Sequence, residues 1–143
     1  MNFDLTDEQE MLRDTFARFL DENSSTARVR QAQETDGFDP ALWSELAELG
    51  AFSMRVPADA GGMDLGLFDA ALLMEEAGRT LVSGPLAEAL VAARLLGQLG
   101  GQDELLRTVI AGEAVVTIAA FDMAEKPLQW IAGGAVAKAV IAR

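Results

Sequence analysis

Apolar residues recur along the chain in short helical stripes separated by turn residues. Leu12, Phe16, Phe19 and Leu20 keep a three-to-four spacing, which predicts an amphipathic helix over residues 7–22. Thr6-Asp-Glu-Gln9 precedes it as a capping box, with Asp7 and Glu8 placed for the positive end of the helix dipole. A weaker helix is expected over 27–33. Asp39-Pro40 then starts a third, with Leu42, Trp43, Leu46, Ala47 and Leu49 on its apolar face and Gly50 closing it. After the turn-rich stretch Val56-Pro-Ala-Asp-Ala-Gly-Gly62, residues 67–79 read as helix, packing through Leu67, Ala71, Leu72, Met74 and Ala77. Two more helices are expected over 85–99 and 102–111. The pattern then changes. Residues 114–121 and 135–142 are short, β-branched apolar runs, as buried strands require. The predicted fold is mainly α: an orthogonal bundle of about five or six helices over residues 1–112, followed by two β-strands of an incomplete β-domain in residues 113–143. Two strands do not make an independently stable sheet, and their open edges need covering.

Composition narrows the chemistry. Among 143 residues, half of them apolar, there is no Cys, His or Tyr. That excludes disulfides, Cys/His zinc sites and any Ser-His or Cys-His pair drawn from these residues. A general base would be Asp, Glu, Lys126 or Lys138. Acids outnumber bases 23 to 11, and 17 of those acids lie in residues 1–79. Such a surface repels nucleic acid and anionic lipid. No segment reaches the roughly 18–20 apolar residues of a membrane span, and the acidic start MNFDLTDEQE is unlike a signal peptide. A soluble cytoplasmic protein is expected, without nucleic-acid or membrane partners.

Four segments, taken in order, carry a family resemblance: Leu5-Thr-Asp-Glu-Gln9, Trp43-Ser-Glu-Leu-Ala-Glu-Leu-Gly50, Val56-Pro-Ala-Asp-Ala-Gly-Gly62 and Leu72-Leu-Met-Glu-Glu-Ala-Gly78. Together they resemble the N-terminal helical domain of acyl-CoA dehydrogenases, from residue 3 to about 121. Val82-Ser-Gly-Pro-Leu-Ala87 is similar to members that handle bulky CoA thioesters, some as paired unlike subunits, as in fatty-acid or sterol side-chain β-oxidation. The resemblance implies an FAD-dependent α,β-desaturation of an acyl-CoA: a carboxylate removes the proton beside the thioester while the flavin takes a hydride. It also implies an electron-transfer acceptor and a homo- or hetero-oligomer. The family's base is a Glu of a C-terminal helical domain that these residues do not include, so no catalytic residue is assigned and the chain alone is expected to be inactive. Glu75 and Glu76 read as a solvated helix face with an ion-pair or capping contact.

By the same resemblance the flavin contacts are Phe121, Asp122, Trp130 and Ala132. Asp122 and Ala132 stand where the family carries Thr, and the intervening loop is short. These departures weigh against FAD retention by the chain alone. Trp130 has two readings, a core aromatic at a domain junction or a flavin contact. Leu86, Ala89, Leu90 and Ala93 share one helix face, and the corresponding helix in the family lines the acyl end of the substrate pocket. The competing reading is that this face packs on neighbouring helices. Besides a piece of a dehydrogenase, the sequence admits a non-catalytic helical interaction module or a degenerate partner of a competent subunit.

Overall fold

The computed structural model describes residues 4–143, so Phe3, where the resemblance begins, lies outside the described residues. Six helices follow one another: α1 (Asp7–Asn23), α2 (Thr26–Gln33), α3 (Pro40–Glu48), α4 (Leu67–Arg79), α5 (Leu86–Leu99) and α6 (Asp103–Ile110). Strands β1 (Val116–Ile118) and β2 (Ala139–Ile141) follow among the described residues. Among the described residues no helix is long and apolar enough to cross a membrane.

The helix starts follow from their caps. Thr6 Oγ1 accepts from the Gln9 N–H, and Gln9 Oε1 accepts from the Thr6 N–H, both at 3.2 Å. The same Gln9 donates through Nε2 to Asp69 Oδ1 at 3.1 Å, and Asp69 Oδ2 accepts from the Gly66 N–H at 2.7 Å. The N-termini of α1 and α4 are thereby tied together, and α4 lies along α1. At the other end of α3, Gly50 takes a left-handed φ of 85°, which lets the chain turn directly into the tight turn Ala51–Ser53.

Asp39 does two jobs. It caps α3 by accepting from the Leu42 N–H at 3.0 Å, and it pairs with the Arg28 guanidinium of α2 through Nε and through Nη2, the latter at 3.1 Å. The Arg28 hydrogen bond, helped by the capped amide, holds the Asp39 carboxyl below the usual carboxylate range. A depressed folded-state pKa stabilises above the unfolded value of about 3.9, and that contribution is lost as pH falls through the lower folded value. Asp39→Ala is therefore expected to cost about 2 kcal/mol at neutral pH, from the lost cap and the stranded guanidinium. In denaturant melts the deficit should shrink below about pH 4; a pH-independent deficit would deny the ion pair its role.

Two apolar clusters fill the interior. The first gathers Phe16 and Leu20 of α1, Leu42, Trp43 and Leu46 of α3, Phe52, Leu73 of α4, and Leu86 and Ala89 of α5. Trp43 is at its centre, 4.4 Å from the Phe52 ring and edge-on to Phe38 at 5.4 Å. The second joins Val56, Ala92, Ala93 and Leu96 to Leu106 and Val109 of α6 and to Ala114 and Val116. On α4 the packing differs from the predicted set. Ala70, Leu72, Leu73 and Ala77 are buried, whereas Leu67 and Ala71 are exposed.

The strands are shorter than the expected 114–121 and 135–142. They pair in parallel over Val116↔Ala139, Thr117↔Val140 and Ile118↔Ile141. Main-chain bonds flank this ladder, from the Lys138 N–H to the Val115 carbonyl and from the Ala119 N–H to the Ile141 carbonyl, both at 2.8 Å, and side chains add to them. The buried Thr117 hydroxyl donates to the Ala132 carbonyl at 2.8 Å, and the Gln129 amide occupies both the N–H and the C=O of Phe121 at 3.0 Å. A side-chain amide thus takes the place that a neighbouring strand would have at Phe121. β1 itself is buried against α5, so the short β layer is built onto the helices.

Candidate functional site

α4 is held chiefly by α1, while α5 is held chiefly by β1 and α6. The two helices consequently touch little, and a cleft of about 520 Å³ opens between them. Ala70, Ala71 and Met74 form its α4 wall, with Leu67 at the rim. Ala87, Leu90, Val91, Arg94, Leu95 and Gln98 form its α5 wall, one stripe at spacings of three and four residues. Small side chains on both walls leave the space. Arg55, from the loop after α3, also lines the cleft.

That loop is held tightly. The Met63, Asp64 and Leu65 amides donate to the carbonyls of Ser53, Val56 and Met54 at 2.7–3.0 Å. Arg55 Nη1 donates to the Leu65 carbonyl at 3.1 Å, and Arg94 Nη1 donates to the Arg55 carbonyl at 2.9 Å. Gly62 lies where only a hydrogen fits: a Cβ there would come 2.1 Å from the Val56 carbonyl oxygen. Asp64 takes a positive φ of 49° and lies 3.7 Å from Arg94 Nη1.

Of the four residues assigned to an acyl pocket from the sequence, Leu90 lines this cleft. Leu86 and Ala89 sit in the first apolar cluster and Ala93 in the second. Ala87, Val91, Arg94, Leu95 and Gln98 escaped the sequence reading, as did Arg55. One signal was available, since Arg94 is the single base in α5. Glu75 and Glu76 do not line the cleft. Glu75 is exposed, and Glu76 pairs with Arg79 at 2.7 Å, which also reaches Asp21 at 2.8 Å. A smaller hollow of about 310 Å³ lies beside Arg28 and Asp39, but those groups are spent on each other.

The four residues assigned to the flavin converge on neighbouring segments, joined by the bonds from Gln129 to Phe121 and from Thr117 to Ala132. Phe121 is half exposed under the Lys126 ammonium, 3.8 Å from its ring centroid. Asp122 Oδ1 accepts from the Ala124 N–H at 2.8 Å and nucleates the turn that follows. Trp130 is 99 % exposed and has no place in either apolar cluster.

The molecule is thus a small helical domain with an apolar interhelical cleft and the opening of a β layer. The family model of the acyl-CoA dehydrogenase N-terminal domain matches residues 6–113. Benzylmalonyl-CoA dehydrogenase of Aromatoleum aromaticum is 37% identical over 124 residues, covering 82% of this chain and 33% of that protein. Acyl-CoA dehydrogenase IpdE2 of Mycolicibacterium smegmatis is 35% identical over 116 residues, covering 80% of this chain and 37% of that protein. Among solved structures, a variant of the Tcur3481-Tcur3483 steroid ACAD superposes with a TM-score of 0.72 at 30% identity, over 80% of this chain and 33% of that one. The chain belongs to the acyl-CoA dehydrogenase family. It spans about a third of the length of the curated relatives it matches.

FAD is the cofactor the family implies, and the donor set at the four positions does not fit the edge of a flavin. None of the four side chains is a hydroxyl, and the nearby Thr117 hydroxyl and Phe121 N–H are already engaged. Asp122 brings a carboxylate where the family carries a hydroxyl, with the Arg143 guanidinium 3.8 Å away to offset part of its charge.

Proposed function

We propose that this chain supplies the acyl-binding helices of an acyl-CoA dehydrogenase, holding a bulky acyl group between α4 and α5. The observation that supports this is the cleft: a roomy apolar slot with alanines on both walls and a mouth open to solvent. Burial of the acyl group there would exclude water and orient it, which is the part of desaturation that these residues can perform. The base and the flavin site lie elsewhere in the assembled enzyme, and the chain alone does not dehydrogenate acyl-CoA. Titration with 3-phenylpropionyl-CoA tests the reading. Ala71→Phe fills the slot from an exposed position, so helix content should be unchanged while acyl-CoA affinity falls at least about tenfold. Unaltered affinity would remove the cleft from the account.

One observation favours a second reading, that of a partner subunit which has lost its flavin site: the donors beside Asp122 are consumed internally. The name of the similar Tcur3481-Tcur3483 steroid ACAD joins two components, and we extend that arrangement to this chain as a proposal. Purified chain reconstituted with excess FAD and desalted should then carry no visible flavin absorbance. Stoichiometric flavin would exclude this second reading.

A further inference from the structure

The charge of the cleft runs against the charge of the chain. Acids outnumber bases by about two to one overall, yet the cleft is lined by two arginines and by no Asp or Glu. Arg55 and Arg94 come from different elements and meet at the same cavity. Each commits Nη1 to a main-chain carbonyl, at 3.1 Å and 2.9 Å, which fixes the position of the guanidinium and leaves Nε and Nη2 as donors. Among the described residues no carboxylate pairs with Arg55. The partner of Arg94 is the mostly exposed Asp64 at 3.7 Å, a distance beyond a hydrogen bond. Both arginines are only partly exposed, so their charge acts in a partly desolvated, largely apolar setting where it is less screened than at the open surface.

From this we infer that the cleft selects acyl groups whose far end carries a carboxylate, with the hydrocarbon body against Ala70, Ala71 and Leu90 and the carboxylate against Arg55 and Arg94. The inference rests on the acyl-cleft reading above and adds the substrate class. A planar carboxylate suits the guanidinium fork, which can donate two parallel hydrogen bonds to it. A neutral acyl group of the same length would leave those donors facing apolar atoms, so discrimination comes from unmet hydrogen bonds as much as from attraction.

The test separates the substrate class from the cleft itself. Calorimetric titration of the 143-residue chain would compare 4-phenylbutyrate with its isosteric amide, 4-phenylbutanamide. The carboxylate is expected to bind about tenfold tighter or more, as for a charge-assisted pair. Arg94→Gln should bring the carboxylate down to within about twofold of the amide measured on the same variant, and an unchanged far-ultraviolet circular dichroism spectrum and melting temperature show that the chain still folds. Arg55→Gln provides the same comparison should Arg94→Gln disturb the loop that Arg94 pins. Equal binding of the two probes by the unaltered chain overturns the inference and leaves the acyl cleft standing. A carboxylate preference that survives both substitutions overturns it as well. Saturable binding of neither probe overturns the inference and the cleft reading together.

Discussion

Replacing Trp43 by Ala is expected to lower the unfolding free energy by about 3–5 kcal/mol, the range for truncating a large buried aromatic. Trp43 is 2 % exposed, its ring lies 4.4 Å from that of Phe52 at a 35° tilt and meets Phe38 edge-on, so truncation empties the middle of the first apolar cluster. Relaxation into the gap is limited, because α3, the Ala51–Ser53 turn and α5 all pack there. Against a typical total of about 5–15 kcal/mol for a domain, such a loss leaves little margin. Trp43→Phe is the informative control. The Nε1–H has no hydrogen-bond partner, so this change loses volume and no hydrogen bond, and should cost about 1–2 kcal/mol. Equilibrium urea melts of both variants check the pair. Similar costs for the two would mean that the indole is not the packing centre it is taken for.

Gly62→Ala is expected to be nearly as damaging, for a different reason. An added methyl would lie 2.1 Å from the Val56 carbonyl oxygen and 2.4 Å from Val56 Cβ, a collision with backbone and a fully buried side chain. The loop cannot yield without breaking the bonds that Met63, Asp64 and Leu65 make to residues 53–56. A cost of about 3 kcal/mol follows from overpacking of this severity. Gly61→Ala next to it meets nothing within 4 Å and suffers only from its φ of 86°, so about 1 kcal/mol is expected. Because the loop carries Arg55, Gly62→Ala should also weaken acyl binding. Thermal melts of the two alanine variants, run side by side, would expose an error if Gly61→Ala proved the worse.

Much of this fold could be read from residue spacing. The capping box at Thr6 and Gln9, the start at Asp39-Pro40 and the bounds of α4 are local signals, and local hydrogen bonds realise them. The working face of α5 was less legible. That helix is apolar nearly all round, so periodicity alone does not say which stripe meets the core and which the cleft. The answer depends on α4 and α5 being drawn apart by different neighbours, α1 on one side and β1 with α6 on the other. The stripe of Leu86, Ala89 and Ala93 entered the core, and the cleft took the one beside it. The strand lengths failed to appear in the apolar pattern for a similar reason. Beyond the ladder the Phe121 N–H and C=O are taken by the Gln129 amide, a side-chain contact that no hydropathy pattern encodes. The full exposure of Trp130 likewise contradicts what an aromatic residue ordinarily suggests.

The central claim is that the acyl group lodges between α4 and α5, and amide-resolved NMR of the chain during titration with 3-phenylpropionyl-CoA, with free CoA as reference, tests it most directly. Shifts specific to the acyl group are expected at Ala70, Ala71, Met74, Leu90 and Val91, absent with free CoA. Shifts confined to the 119–138 segment, or identical with and without the acyl group, would contradict the claim.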